Sequence, residues 1–193
     1  MIRILILVLI SFSASAQYWT SEEFNAANTA SNISFITTEE KDIIRYINLA
    51  RMFPSKFADL EVKNYLGPKE FGDYLEDSEY KESLYRQLQN LRPLPPLNFD
   101  REMFELAKCF ALESGQSGYV GHNRRDCTQG NMMGECCDYG HNKGKDIALS
   151  LLIDHDVPSL GHRQICLSNR YRVVGIKISP HQRYRFCAVL DFR

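Results

Sequence analysis

The sequence predicts an α+β fold in which helices cover a sheet, and three features predict it. Two capped amphipathic runs and a nearly all-apolar run have helical spacing, a glycine-rich stretch interrupts them, and the C-terminal segment reads as a β-hairpin. No internal repeat is present.

The chain opens MIRILILVLISFSASAQ, with Arg3, an apolar run from Ile4 to Ile10, and Ala14-Ser15-Ala16 before Gln17. This predicts a secretory signal peptide over residues 1–16. The run is too short to anchor the chain, and no later segment approaches the roughly 18 apolar residues of a transmembrane helix. Cleavage after Ala16 leaves enough chain for one domain with a real core. Residues 17–36 are rich in Ser, Asn, Thr and Ala with weak periodicity, and are expected to form a flexible leader before a domain over 37–193.

The first helix is expected from Thr37, where TTEE supplies a capping box. Ile43, Tyr46, Ile47, Ala50 and Phe53 share one face until Pro54 stops the run. A second amphipathic segment, Glu79 to Leu91, carries Tyr80, Leu84, Leu88 and Leu91 on one stripe. The prolines of RPLPPLNFD end it. Asp100 then caps REMFELAKCFALES, with Met103, Leu106, Ala107 and Phe110 on a face and Gly115 closing it. From Gly115 to Gly144 the chain holds seven of its eleven glycines and three cysteines, which predicts a long, stapled, irregular region. KDIALSLLID reads as a short buried helix, and YRVVGIKIS, a PHQR turn and YRFCAVLDF form the hairpin.

Acids and bases nearly cancel, at 24 against 23, so no field of one sign favours nucleic acid or an anionic membrane. Cys109, Cys127, Cys136, Cys137, Cys166 and Cys187 form an even set in an exported chain, for which disulfides are the default and the pairing stays open. The neighbours Cys136 and Cys137 are expected to pair outward. A thiolate metal site is the weaker reading, since no CxxC pair is present.

Four polar residues stand where the backbone is specially constrained: His122 in GYVGHN, Glu135 in MGECCDYG, Asp154 in LLIDHD and His162 in SLGHR. Two imidazoles and two carboxylates can hold a divalent cation, or set a His and a Glu as general acid and base. Their spacings of 13, 19 and 8 residues match no compact motif such as HExxH. Each also has a structural reading: Glu135 accepting backbone N–H bonds in its turn, His162 packing at a helix start. His141 in YGHNKG is expected on a surface loop, His181 in a solvated turn, and His155 with Asp156 as a solvated pair. Arg163 is expected to be a structural partner for a carboxylate or a carbonyl.

KDIALSLLIDHDVPSLGHRQICL followed by YRVVGIKISPHQRYRFCAVLDF resembles the bacterial branch of the CAP superfamily, the SCP/PR-1-like domains of cysteine-rich secretory proteins, antigen 5 and pathogenesis-related proteins. The likeness extends to IIRYINLAR with FPSKFA, to PLPPLNFDREMFELAKCFA, and to GECCDYG at the family's Gly-Glu-Asn turn, and so covers Thr37 to Arg193. It implies a three-layer α-β-α sandwich with a cleft of two histidines and two acids, often a site for Zn2+ or another divalent cation. His122, Glu135 and His162 match the family's motif residues, and Asp154 takes the remaining acid position. Asp154 stands where eukaryotic members often have Glu, so its reach to a metal would run through water. Cys136 replaces the usual Asn.

The leading expectation is therefore a secreted or periplasmic monomer that binds a ligand, lipid or extracellular protein without turning it over. Ser117 and Ser159 lack a nucleophile elbow, which argues against covalent hydrolysis. The alternative is a metal-assisted hydrolase or peptidase with Glu135 as catalytic base and His122 and His162 on zinc. A further alternative is sterol or lipid carriage.

Overall fold

A computed structural model describes residues 18–193, and the expected signal peptide lies outside the described residues. Thr20 opens α1 (Ser21–Ala27) with a capping box, its side chain accepting from Glu23 N while Glu23 reaches back. Ala27, Ala30 and Ile36 are buried, and Asn48 Nδ2 donates to Ala27 O at 3.0 Å. Residues 18–36 are thus packed on the domain, which corrects the expectation of a flexible leader. Their composition is polar, but Trp19, Phe24 and Ile33 land on the core, and so few apolar positions give little periodicity to read.

The expected capping box at Thr37 starts α2 (Thr38–Met52), whose Ile43, Ile44, Ile47 and Ala50 are buried. Pro54 ends it and becomes the first residue of α3 (Pro54–Phe57), which widens into a π-helical turn over Ala58–Val62. Ser78 caps α4 (Glu79–Asn90), which buries Leu84 and Leu88. The proline connector leads into β1 (Asn98–Phe99) and α5 (Arg101–Ser117), capped by Asp100. α5 runs past Gly115 and ends at Gly118, which takes the left-handed conformation. Gly115 is needed for a different reason, because a Cβ there would sit 2.2 Å from Pro180 O.

β2 (Gly134–Tyr139) forms within the stretch expected to be irregular. Its pairing with the distant C-terminus gives no local signal. α6 (Gly144–Ile153) and α7 (Gly161–Cys166) follow, then β3 (Val173–His181) and β4 (Arg185–Phe192). The hairpin is as expected, but Pro180 and His181 belong to β3 and the turn is Gln182 to Tyr184. Pro180 pairs with Phe186, whose carbonyl turns to the other side to accept from Gly140 N, so the missing N–H costs no ladder bond.

The strand order is β1-β3-β4-β2, with β1 parallel to β3 and the other pairs antiparallel. The chain is thus α+β with a mixed four-stranded sheet. Side chains alternate across it. One face sends Cys137, Cys187 and Val189 into a small cluster with Ala107, Phe110 and Ala111 of α5. The opposite face sends Cys136, Val174, Ile176, Ala188 and Leu190 into the main core with α2 and α6. α5 lies close because Gly175 has no side chain: a Cβ there would be 1.9 Å from Phe104 N.

Cys109 and Cys127 form a disulfide that ties α5 to the following loop. The other four cysteines are free and buried, which corrects the expectation of a full disulfide framework. Cys136 and Cys137 do not pair outward because strand alternation sends them into the two cores. Among the described residues no helix is long and apolar enough to cross a membrane.

Candidate functional site

Asp154 sits at the C-terminus of α6 with φ 56°, the left-handed conformation that Asp tolerates better than most residues. This turns its carboxylate toward α7. Oδ2 accepts from the backbone N–H groups of His162 and Arg163 at 3.0 and 3.3 Å, and Oδ1 lies 2.7 Å from His162 Nδ1. Asp156 and Leu160 also have positive φ, so the loop between α6 and α7 is tightly wound. Arg163, buried as a structural partner, donates to the carbonyls of Leu152, Ile153 and Tyr80 and to Ser83 Oγ, fixing α7 against α6 and α4.

A second acid–imidazole pair comes from the other side of the cleft. Glu135 on β2 places Oε1 2.8 Å from Nδ1 of His122. The two imidazoles face each other with ring centroids 6.0 Å apart. The four residues picked out by sequence are therefore brought together as two acid-backed histidines. Both acids are buried, whereas the His122 side chain is 54% and the His162 side chain 20% exposed. His122, Asp154, His162 and Cys137 line a cleft of about 440 Å³, with Tyr74, Val120 and Tyr184 also in its wall.

Sequence reasoning missed three members of this site. Arg124 donates to Glu135 Oε2 and, at 2.8 Å each, to both carboxylate oxygens of Asp191. Asp191 is fully buried beside Glu135 in the register of β2 and β4. Its only sequence signal is an acid in the otherwise apolar FCAVLDF, and nothing local distinguishes Arg124 from Arg125. The third is Cys137, whose Sγ lies 3.8 Å from His122 Nδ1. His122, Glu135 and Cys137 offer ligand atoms within 4.8 Å of one another, and this group can hold a metal ion.

The charges follow from the shared guanidinium. Burial raises the Glu135 pKa, but hydrogen bonds from His122 and Arg124 outweigh it and hold the carboxyl below the usual range. Burial pushes Asp191 up to about 7 against the pull of Arg124. Two acids share one cation here, and the charge settles on Glu135, which has the second donor. The bond to Glu135 in turn raises the His122 pKa against partial burial. Burial raises the Cys137 thiol well above its ordinary value.

The remaining histidines correct the sequence reading. His141 is buried, not on a surface loop, with Nδ1 2.9 Å from Asp138 Oδ1. His181 is also buried and lies 3.0 Å from Tyr119 O, because the strand it belongs to is covered there by the loop that follows α5. His155 is half-buried: it stands 3.6 Å from the exposed Asp156 but bonds Ser78 Oγ at 2.9 Å. No protein-family model, curated protein or solved structure matches the chain.

Proposed function

We propose that the chain is a secreted member of the CAP superfamily, a three-layer α-β-α sandwich acting as a binding module through a zinc-type divalent-cation cleft. The pair of acid-backed histidines across the cleft carries this reading. A carboxylate on Nδ1 fixes each ring and leaves Nε2 as the nitrogen able to take a metal, the usual outer-shell arrangement of metal-bound histidine. The two ring centroids stand 6.0 Å apart, near enough for both imidazoles to reach one ion.

His122 and His162 would hold the ion, with Glu135 and Asp154 behind them. The compact group of His122, Glu135 and Cys137 fits less well. It would free Nδ1 from Glu135, take Oε2 from Arg124 and ionise a buried thiol. Bound between the histidines, the ion would supply a Lewis-acidic point with open positions for a ligand's oxygen or nitrogen donor.

The hydrolase reading requires Glu135 to take a proton. Both its oxygens are engaged and its pKa is lowered, so it is a poor base. Arg124 instead makes it an orienting group. Zinc titration calorimetry at pH 7, with the His122→Ala/His162→Ala variant alongside, tests the proposal. Binding lost in the variant supports it, and no binding to the wild type overturns it.

A further inference from the structure

The hairpin turn that carries Arg183 and Tyr184 and leads into Arg185 is held from inside. His181 Nδ1 accepts from the backbone N–H groups of Arg183 and Tyr184, each at 3.2 Å, and its Nε2 faces Tyr119 O at 3.0 Å. Arg185 begins β4 with φ 68°, a conformation that a non-glycine residue rarely adopts. Tyr139 packs against His181 at a ring separation of 5.3 Å, and its hydroxyl accepts from Gly121 N at 3.1 Å. The turn is thus a fixed platform.

This platform walls a second cavity of about 450 Å³, completed by Phe71, Tyr74 and His141. Phe71, Tyr74 and Tyr184 are 46%, 40% and 43% exposed, so three large rings gather at one wet concavity. A cluster of exposed apolar rings is the usual mark of a binding surface. Arg183 and Arg185 are the only acid- or base-bearing side chains in the wall besides His141. That charge selects an anion. His141, nine-tenths buried, bonds Asp138 through Nδ1 while its Nε2 has no partner, so the wall also holds an unmet polar atom. Tyr74, Tyr139 and Tyr184 line both this cavity and the histidine cleft, which makes the two neighbours.

We propose that this cavity binds an aromatic carboxylate, its ring among Phe71, Tyr74 and Tyr184 and its carboxylate on Arg183 and Arg185. Edge-on and offset aromatic pairs favour a planar ring over an aliphatic chain of similar size. The guanidinium fork matches a carboxylate in shape as well as charge. The site needs no metal, so it stands or falls apart from the cation cleft.

The test uses the full chain in metal-free buffer and three probes: N-acetyl-L-phenylalanine, its amide, and N-acetyl-L-alanine. Binding is read by chemical-shift titration. The acid is expected to bind about tenfold more tightly than the amide, which lacks the charge, and than the alanine analogue, which lacks the ring. Tyr184→Ala should weaken the acid about threefold to tenfold. Arg183→Ala/Arg185→Ala should erase the difference between acid and amide. These side chains are exposed, so the variants should retain the wild-type circular dichroism spectrum. Three probes binding alike or not at all, or a preference for the acid that survives loss of both arginines, would overturn the proposal.

Discussion

Asp154 bonds His162 twice, through the imidazole Nδ1 at 2.7 Å and through the backbone N–H at 3.0 Å. One carboxylate therefore sets both the start of α7 and the direction of its histidine. Asn at this position keeps the left-handed backbone and an acceptor but loses the charge. Asp154→Asn should fold normally and weaken zinc binding about 10- to 100-fold. Asp154→Ala should in addition lose about 1–2 kcal/mol of stability, because it removes the acceptor and strains the backbone. Calorimetry and urea denaturation on both variants check this. Equal zinc affinity in wild type and Asp154→Asn would sink the orienting role.

Stability should peak on the acid side of neutrality. Asp138 raises the folded-state pKa of His141 although burial lowers it, so its contribution is full below about 6.5 and lost as pH rises through the folded value. Asp191 has the same sign: its pKa rises from 3.8 to about 7 on folding, so stability falls across that interval as pH increases. Glu135 opposes at low pH, where its lowered pKa gives stability that disappears as pH falls below about 4.5. The wild-type Tm should be highest near pH 4.5, fall as Asp191 ionises toward pH 7 and fall further above about 6.5 as His141 loses its proton, and His141→Gln should flatten that last part. A Tm that rises from pH 6 to 8 would contradict these assignments.

Gly175 sets how closely α5 approaches the sheet. A Cβ at this position would stand 1.9 Å from Phe104 N, so Gly175→Ala should cost about 3 kcal/mol or more, since backbone must move rather than a side chain. Differential scanning calorimetry reads the loss. A Tm within two or three degrees of wild type would show that the helix can yield, by the usual relation of about 2–4 °C per kcal/mol.

Thiol counting checks the cysteine assignment. Unfolded in guanidinium without reductant, the chain should give four reactive thiols, from Cys136, Cys137, Cys166 and Cys187, and almost none while folded. Reducing the Cys109–Cys127 bond should cost about 3 kcal/mol, as expected for a closed loop of 18 residues. Fewer free thiols would mean further pairing.

The sequence made legible what local physics decides. The caps at Thr37 and Asp100 and the C-terminal hairpin stand where periodicity and capping place them. His122, Glu135, Asp154 and His162 are legible as polar residues at constrained backbone positions, and the fold gathers them as two facing acid–imidazole pairs. What stayed hidden depends on long-range pairing. β2 exists because Cys136 meets Leu190 and Cys137 meets Val189 across the sheet. Arg124 matters because folding brings Asp191, 67 residues away, against it. His141 and His181 look solvated in polar segments, and burial becomes visible only when Asp138 and Tyr119 O are in place as partners.

The most direct measurement is the zinc-edge anomalous difference map of a crystal soaked at pH 7. One strong peak is expected, bonded by Nε2 of both His122 and His162, with Glu135 and Asp154 still on the Nδ1 atoms. A peak among His122 Nδ1, Glu135 and Cys137 without His162, or no peak in the cleft, would contradict it.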